Sequence, residues 1–435
     1  MKNGLFLMLL LLLPVALSAQ EDVILLYGKV TSEGKGVSYA SLHLAGTSIG
    51  VSCNDGGLYE LKLPVGHEMD TVIIRSIGYK QEKRLVRDLM KRGDVKLEEQ
   101  FIVLQEVKVK GYRTASTLIL AAVRRIKKNF HKDTTYSTFF YRDWRSLDGE
   151  LFLLDEAVMR VKRAGYGAFS NKQGYAYCDY HREMETDYKD LLKHRLVVYD
   201  RRMLEKEVHK SLGVFEMLEY SDNAAFFDPV ATPQASYMLA ERFLVKHTFD
   251  PVREFEDNGE LFYLVRSVGP SRVWKSLVNY EYVIRKKDLA IVRITSSQNA
   301  VTQQAPQDAW VNVYYNRMII DDTSSWTYEV RDGHYTLTHY YNNKQFHLYS
   351  RNRGHDKDVQ HWQLCVDWTM TDFSMEAPAP EGTAIAFHPQ ALPTAFGKSD
   401  NILSSFWENY NSILIDTLPL KMLEDKLKKR KEYQP

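Results

Sequence analysis

The chain has 435 residues, with 57 Lys and Arg against 56 Asp and Glu, for a formal net charge of +1. A balance that close argues against nucleic acid as a main partner, because phosphate recognition needs a basic surplus. The three cysteines, Cys53, Cys178 and Cys365, are odd in number and widely spaced, which excludes a disulfide framework and a Cys-x-x-Cys site.

The chain opens MKNGLFLMLLLLLPVALSAQED, with Lys2 ahead of an apolar run from Leu5 to Leu13 and a small-residue end at Ser18-Ala19-Gln20. That pattern predicts a secretory signal peptide over residues 1–19. The run is shorter than the roughly 20 residues a membrane span needs. No cysteine stands at the cleavage site to carry a lipid, and no second long apolar run occurs further along. The expected location is therefore the periplasm or the outer membrane, with at most peripheral membrane contact. In that oxidising setting one disulfide among the three cysteines stays open beside three buried thiols.

Residues 23–97 read as short strands: VILLYGKVTSEG, SLHLAG, GLYELKLP and DTVIIRSIGY, separated by Gly, Asn, Asp and Pro. About seven such strands predict a small β-sandwich. An amphipathic piece, RLVRDLMKRG, lies near its end, and FIVLQEVKVKG supplies a closing strand and linker across 98–113. Within the sandwich, Gly46-Thr47-Ser48-Ile49-Gly50 matches the G-x-S-x-G of a serine-hydrolase nucleophile elbow. A true elbow runs strand, sharp turn, helix. Here the next residues are VSCNDGGLYELKL, a turn and a strand, so Ser48 is expected to be a turn residue.

Gly28-x-Val30, Gly36-Val37 leading to Ala40, Gly46-Thr47, Gly50, Asn54-Asp55, Gly57-x-Tyr59, Leu63-Pro64-x-Gly66 and Ile77-Gly78-Tyr79 succeed one another in a familiar order. The segment resembles the carboxypeptidase-like regulatory domain, a transthyretin-like β-sandwich that begins many bacterial envelope proteins. The resemblance implies that the glycines serve turns and close backbone approaches. It implies no peptidase, because the H-x-x-E of zinc carboxypeptidases is absent. None of the 13 histidines is followed three residues later by Glu, and His247 with Asp250 and His355 with Asp358 carry Asp instead. LQEVKVKGY, Leu104 to Tyr112, is similar to the segment ahead of the plug in TonB-dependent receptors. The chain beyond Tyr112 lacks the repeated ten-residue strands of an outer-membrane barrel.

Residues 114–400 are expected to form a mixed antiparallel β/α domain. TASTLILAAVRRIKKNF predicts a helix from Thr114 to Phe130, with Leu118, Ala122, Ile126 and Phe130 on one stripe. Its basic face carries Arg124, Arg125, Lys127 and Lys128, read as a solvated face. TYSTFFYRDW and GELFLLDEAVMRV are strands, and short helices are expected between Asp187 and Phe249. Two hairpins come next, one around RKKD and one around Asp332-Gly333. In VQHWQLCVDWTM, Trp362, Leu364, Val366, Trp368 and Met370 face one way, and His361, Gln363, Cys365 and Asp367 the other. His361 and Cys365 stand about 13 Å apart on such a strand, so only a residue from another strand could complete a metal site with either. Residues 401–435 predict a helical tail, with Leu420, Leu423 and Leu427 as its apolar stripe and a Lys/Arg cluster from Lys426 to Lys431. Lipid anchoring is the sharper alternative for that tail. TLILAAVRRIKKNF, STFFYRDW, EAVMRV and FWENYN resemble a module that accompanies the regulatory-type domain in exported Bacteroidota-type proteins, and that resemblance implies architecture alone.

The fold class expected is mainly β with some α: a transthyretin-like sandwich, then a larger antiparallel β domain with helices, a curved sheet wrapped round a helix. The abundance of tyrosine, 27 residues, suits β-rich proteins and surfaces that bind partners or sugars. The leading expectation is a non-enzymatic binding or scaffolding protein of the cell envelope, its ligand a lipid, a glycan or another envelope protein, with no cofactor and no metal. The alternative is a hydrolase acting on envelope peptide or glycan, with acid–base groups drawn from Asp143, Glu156, His339 and Asp367. The sequence alone brings no two of them together, so no catalytic residue is assigned. A His–carboxylate or paired-carboxylate cluster in a deep pocket would favour the enzyme. An apolar cavity would favour the binder, and an exposed sheet edge would favour a protein partner.

Overall fold

The computed structural model describes residues 23–47, 49–54, 56–100, 114–163, 165–166, 175–185, 228–231, 233–234, 236–268, 278–299, 315–350, 359–377, 383–385, 406–407 and 410–412. Its first unit is made of β1 (Val23–Ser32), β2 (Lys35–Gly36), β3 (Ser41–Leu44), β4 (Gly50–Ser52), β5 (Leu58–Pro64), β6 (Thr71–Arg75), β7 (Glu82–Leu85), helix α1 (Val86–Lys91) and β8 (Val95–Lys96). One sheet runs β2-β1-β5, with β8 added parallel to β1; the other runs β4-β3-β6-β7. Alternate residues from both sheets meet in one core: Leu26 and Val30, Leu42 and Leu44, Tyr59, Leu61 and Leu63, Val72 and Ile74. Each buried aliphatic side chain contributes about 1.5–3 kcal/mol. The amphipathic piece forms α1, which buries Val86 and Leu89 against that core.

Gly46 to Gly50 connects β3 to β4, and the Thr47 hydroxyl donates to the Leu44 carbonyl at 3.0 Å. The context is strand, turn, strand, with no helix after Gly50; Ser48 lies outside the described residues. Gly57 has φ +82°, and a Cβ there would lie 2.4 Å from the Val30 carbonyl oxygen, which is backbone and cannot rotate away. Gly66 has φ +96° with open space around it. Gly57→Ala should therefore cost about 2 kcal/mol or more, beyond the left-handed penalty of about 1–2 kcal/mol that Gly66→Ala pays alone. Thermal melts of the two variants check this; equal melting temperatures would show that the close approach carries no weight.

Helix α2 (Ala115–Asn129) opens the second unit. Thr114 caps it in a box with Thr117, and Leu118, Ala122, Ile126 and Phe130 form the buried stripe that the sequence predicts. Arg124, Arg125, Lys127 and Lys128 are exposed. Next come β9 (Thr135–Leu147), β10 (Glu150–Arg163), β11 (Tyr175–Glu185), a single helical turn α3 (Glu241–Leu244) and β12 (Thr248–Phe249). The chain continues through β13 (Arg253–Asp257), β14 (Glu260–Val268), β15 (Asn279–Arg285), β16 (Ile291–Asn299), β17 (Tyr315–Arg331), β18 (His334–Ser350), β19 (Val359–Ser374) and β20 (Thr383–Ile385).

These strands form one antiparallel sheet in the order β12-β14-β15-β16-β17-β18-β19-β9-β10-β11-β20, with β13 also on β14. The chain's early β9 thus pairs with its late β19. One face of β14 to β18 packs on α2 through Val265, Tyr282, Ile294, Tyr328 and Leu337. The Asn129 amide donates to the Asp288 carbonyl at 3.0 Å and ties the helix end to the β15–β16 turn.

The fold class is as expected: mainly β, a small two-sheet unit followed by a larger antiparallel sheet with helices. Asp332-Gly333 turns with φ of 46° and 78°, the two positive values that match strand twist in a tight hairpin. Asp148-Gly149 and Asn258-Gly259 turn the same way. The Asp332-Gly333 hairpin is longer than its sequence suggests, with 17 residues in each strand. Its distal half, around DDTSS and NNKQ, is too polar to announce a strand; it is held by pairing to β16 and β19. Of the short helices expected between Asp187 and Phe249, the described residues show a single turn, Glu241–Leu244, because Ala240 is extended and starts the helix there. Residues 187–227 of that stretch, the 101–113 linker and the 413–435 tail fall outside the described residues. Among the described residues no helix is long and apolar enough to cross a membrane.

One buried polar knot pins a chain segment to this sheet. Asp228, 2% exposed, accepts five hydrogen bonds. The donors are Arg163, the hydroxyls of Tyr166 and Tyr328, and the backbone N–H groups of Val230 and Ala231. The Tyr166 oxygen in turn accepts from the Leu337 N–H at 2.8 Å.

Candidate functional site

A cleft of about 510 Å³ opens where the sandwich meets the large sheet. The contact around it is specific. Arg75 at the end of β6 reaches Glu329 on β17 at 2.5 Å, and the Gln81 N–H donates to the Asn258 side chain at 2.9 Å. A third tie lies further along the sandwich, where the Asn411 side chain meets both outward-pointing backbone groups of Lys62 on the edge strand β5. It accepts from the N–H at 2.6 Å and donates to the carbonyl at 2.9 Å. Beside it, Trp407 and its partly buried neighbours Phe406 and Tyr410 pack on Phe140 and Val158.

The cleft wall is dense in hydroxyls, among them those of Ser38, Ser41, Ser52, Ser325, Thr327 and Thr338, and in tyrosine rings, from Tyr39, Tyr328, Tyr335 and Tyr341. Its four arginines are all matched by carboxylates: Arg75 and Arg331 by Glu329, Arg285 by Asp288 and Glu260, and Arg293 by Glu281. Burial would raise the Glu329 carboxyl, but the two guanidiniums overrule it and hold the group below the usual range. Across the cleft, burial pushes Asp257 up, and His43 is pushed down by burial and by Arg75.

Tyr39 lines the cleft from the sandwich side. It is a bulky residue with φ 55°, a conformation that costs about 1–3 kcal/mol and is enriched at functional sites. The strain places its ring 4.4 Å from Tyr341 and 5.6 Å from His339. Beneath it, His339 Nε2 and Asp367 Oδ2 are 3.2 Å apart, and Asp367 also accepts from the Thr369 hydroxyl at 2.9 Å.

The structure separates the four acid–base candidates. Glu156, Asp367 and His339 share one face of the sheet, because Arg142 pairs in register with both Glu156 and Asp367, and Tyr341 with Asp367. Asp143, the residue after Arg142, points to the other face. Glu156 accepts from Arg142 at 2.6 Å, and Arg145 grips Asp143 through two nitrogens at 3.2 and 2.7 Å. Both of those carboxylates are fully buried ion-pair partners. His339 and Asp367 form the one acid–base pair of the four. Tyr39 joins them as a site residue that the sequence does not announce; its signal there is faint, a tyrosine between Ser38 and Ala40 in a turn.

Among the described residues His339 has Asp367 as its hydrogen-bond partner and no hydroxyl or thiol nucleophile. Cys365 is on the same face, but burial pushes its thiol well up, so it stays protonated. Cys53 and Cys365 are buried free thiols. Cys178 pairs by register with Met159 and Thr383, and its side chain lies outside the described residues. Among the described residues there is no group of three or more His, Cys, Asp or Glu placed to hold a metal. His247 packs on Tyr280 and Phe249. A His–Asp contact at the H-x-x-D spacing does form at His67 and Asp70, 2.6 Å apart on an exposed turn.

No family model matches the chain, and none of the curated proteins is similar to it. Among solved structures, the crystal structure of a DUF1329 family protein from Desulfovibrio piger ATCC 29098 is similar at 10% identity. The match covers 59% of this chain and 90% of that one, with a TM-score of 0.21.

Proposed function

We propose that the chain is a non-enzymatic binding protein of the cell envelope, and that its ligand is an uncharged glycan held in the cleft between sandwich and sheet. The observation that carries this reading is the chemistry of the wall: many hydroxyls, four tyrosine rings, and arginines already neutralised by carboxylates. A charged ligand would have to break those pairs, whereas sugar hydroxyls can bond to them and to the hydroxyls as they stand. An acyl chain would want a continuous apolar wall, whereas here Ile77, Phe262, Val292 and Met370 are interspersed with hydroxyls and ion pairs. Its volume falls within the range of about 300–1,000 Å³ usual for small-ligand sites. Export to the envelope rests on the N-terminal segment, Lys2 followed by the run Leu5 to Leu13.

The test is native mass spectrometry of the mature protein taken gently from its own envelope, followed by titration with a panel of neutral oligosaccharides. A co-purifying hexose-type mass is expected. Tyr39→Ala should weaken oligosaccharide binding about tenfold, about 1.4 kcal/mol. A bound phospholipid, or no saccharide binding at all, would sink the proposal.

The hydrolase alternative has one observation in its favour, the contact between His339, which lines the cleft, and the buried Asp367 behind it. Cleavage of the bound oligosaccharide by the wild type, lost in Asp367→Asn, would decide for it.

A further inference from the structure

His361 lies on β19, where its neighbours along the strand are too far away to share an ion. Its register partner on β18 is His347. The His361 N–H and carbonyl are both taken by Asp148 at the β9–β10 turn, at 2.8 and 2.7 Å. They therefore point away from β18, and His347 and His361 form a non-hydrogen-bonded pair. That pairing brings facing residues closest, with Cα atoms about 4.5 Å apart. The two half-buried imidazoles stand on the same face with ring centroids 5.3 Å apart and planes at 73°. Among the described residues neither ring has a hydrogen-bond partner.

Metal–nitrogen bonds of about 2.0–2.1 Å at a tetrahedral angle set the centroids of two bound imidazoles about 5 Å apart. From this match we infer that His347 and His361 bind one divalent transition-metal ion between β18 and β19. Two imidazoles leave the other coordination positions to water or to a donor from a ligand. Cu²⁺ should bind most tightly, then Zn²⁺ and Ni²⁺, following the general order for nitrogen sites. A second close pair, His131 and His334 at 5.2 Å, is unlike it: His131 is buried and its Nε2 is bonded to the Arg331 carbonyl at 2.7 Å.

Titration of the full chain with Cu²⁺ alone tests the site, read by binding isotherm and by electron paramagnetic resonance. One tight equivalent with two equatorial nitrogens is expected. His347→Gln and His361→Gln should each weaken it at least tenfold, and His334→Gln should leave it unchanged. Unchanged affinity in both of the first two variants overturns the inference. Should either variant fail to fold, the wild type still answers: one equivalent of Cu²⁺ with ascorbate should oxidise His347 and His361 first. Oxidation concentrated at other histidines overturns the site.

Discussion

Asp228→Ala is expected to destabilise the protein by about 3–5 kcal/mol, the usual cost of removing one partner from a buried ion pair. The alanine leaves the Arg163 guanidinium without the carboxylate that faces it at 2.5 Å, deep beside the Tyr166 and Tyr328 rings. It also strips the acceptor from two tyrosine hydroxyls and two backbone N–H groups, each of which then sits buried at a cost of about 1–3 kcal/mol. Local relaxation returns part of that sum. Asp228→Asn keeps the acceptor for Tyr328, Val230 and Ala231 and should lose less. Chemical denaturation measures both. Amide exchange adds a local readout, because Val230 and Ala231 should lose protection before the sheet does. An alanine variant within about 1 kcal/mol of the wild type would mean that the knot does not hold the segment.

The second large effect is at the β9 pair. Arg145→Ala should also cost about 3–5 kcal/mol, because it leaves Asp143 charged at 0% exposure on a sheet face shared with Tyr141. Asp143→Ala should also destabilise, because it removes the carboxylate that Arg145 grips through two nitrogens. The double variant should cost less than the two summed, with a coupling of roughly 0.5–3 kcal/mol. Zero coupling would show that the two groups do not act as a pair. The same experiment bears on function. A structural Asp143 changes stability and leaves ligand binding in the cleft unmoved, whereas a catalytic one would abolish cleavage of a bound oligosaccharide.

Some of the fold is legible residue by residue. Leu118, Ala122, Ile126 and Phe130 announce α2, because a helical period of 3.6 is written locally and needs no partner. Asp332-Gly333 announces its hairpin, because two positive φ values belong to those residues themselves. The two faces of β19 follow from strict alternation. In the sandwich, the Gly36 and Gly57 spacing corresponds to a real close approach of backbones.

The site is not legible in that way. His339 and Asp367 are separated by 28 residues, His347 and His361 by 14, and Tyr39 belongs to the other unit altogether. Each pairing depends on register, and the bulge between Thr327 and Tyr328 shifts the register of β17 against β18 by one residue. As candidates, Asp143 and Glu156 look equivalent to His339 and Asp367, since a charged residue in a strand does not reveal what faces it.

Order along the chain is thus enough for the local elements, their faces and the mainly β class, because those depend on the period of one segment. Which titratable groups meet, which are neutralised and where the cleft opens emerge from the assembled sheet alone. Those outcomes are set by pairings between strands distant in the chain, and a shift of one residue in any of them turns the side chains to the opposite face.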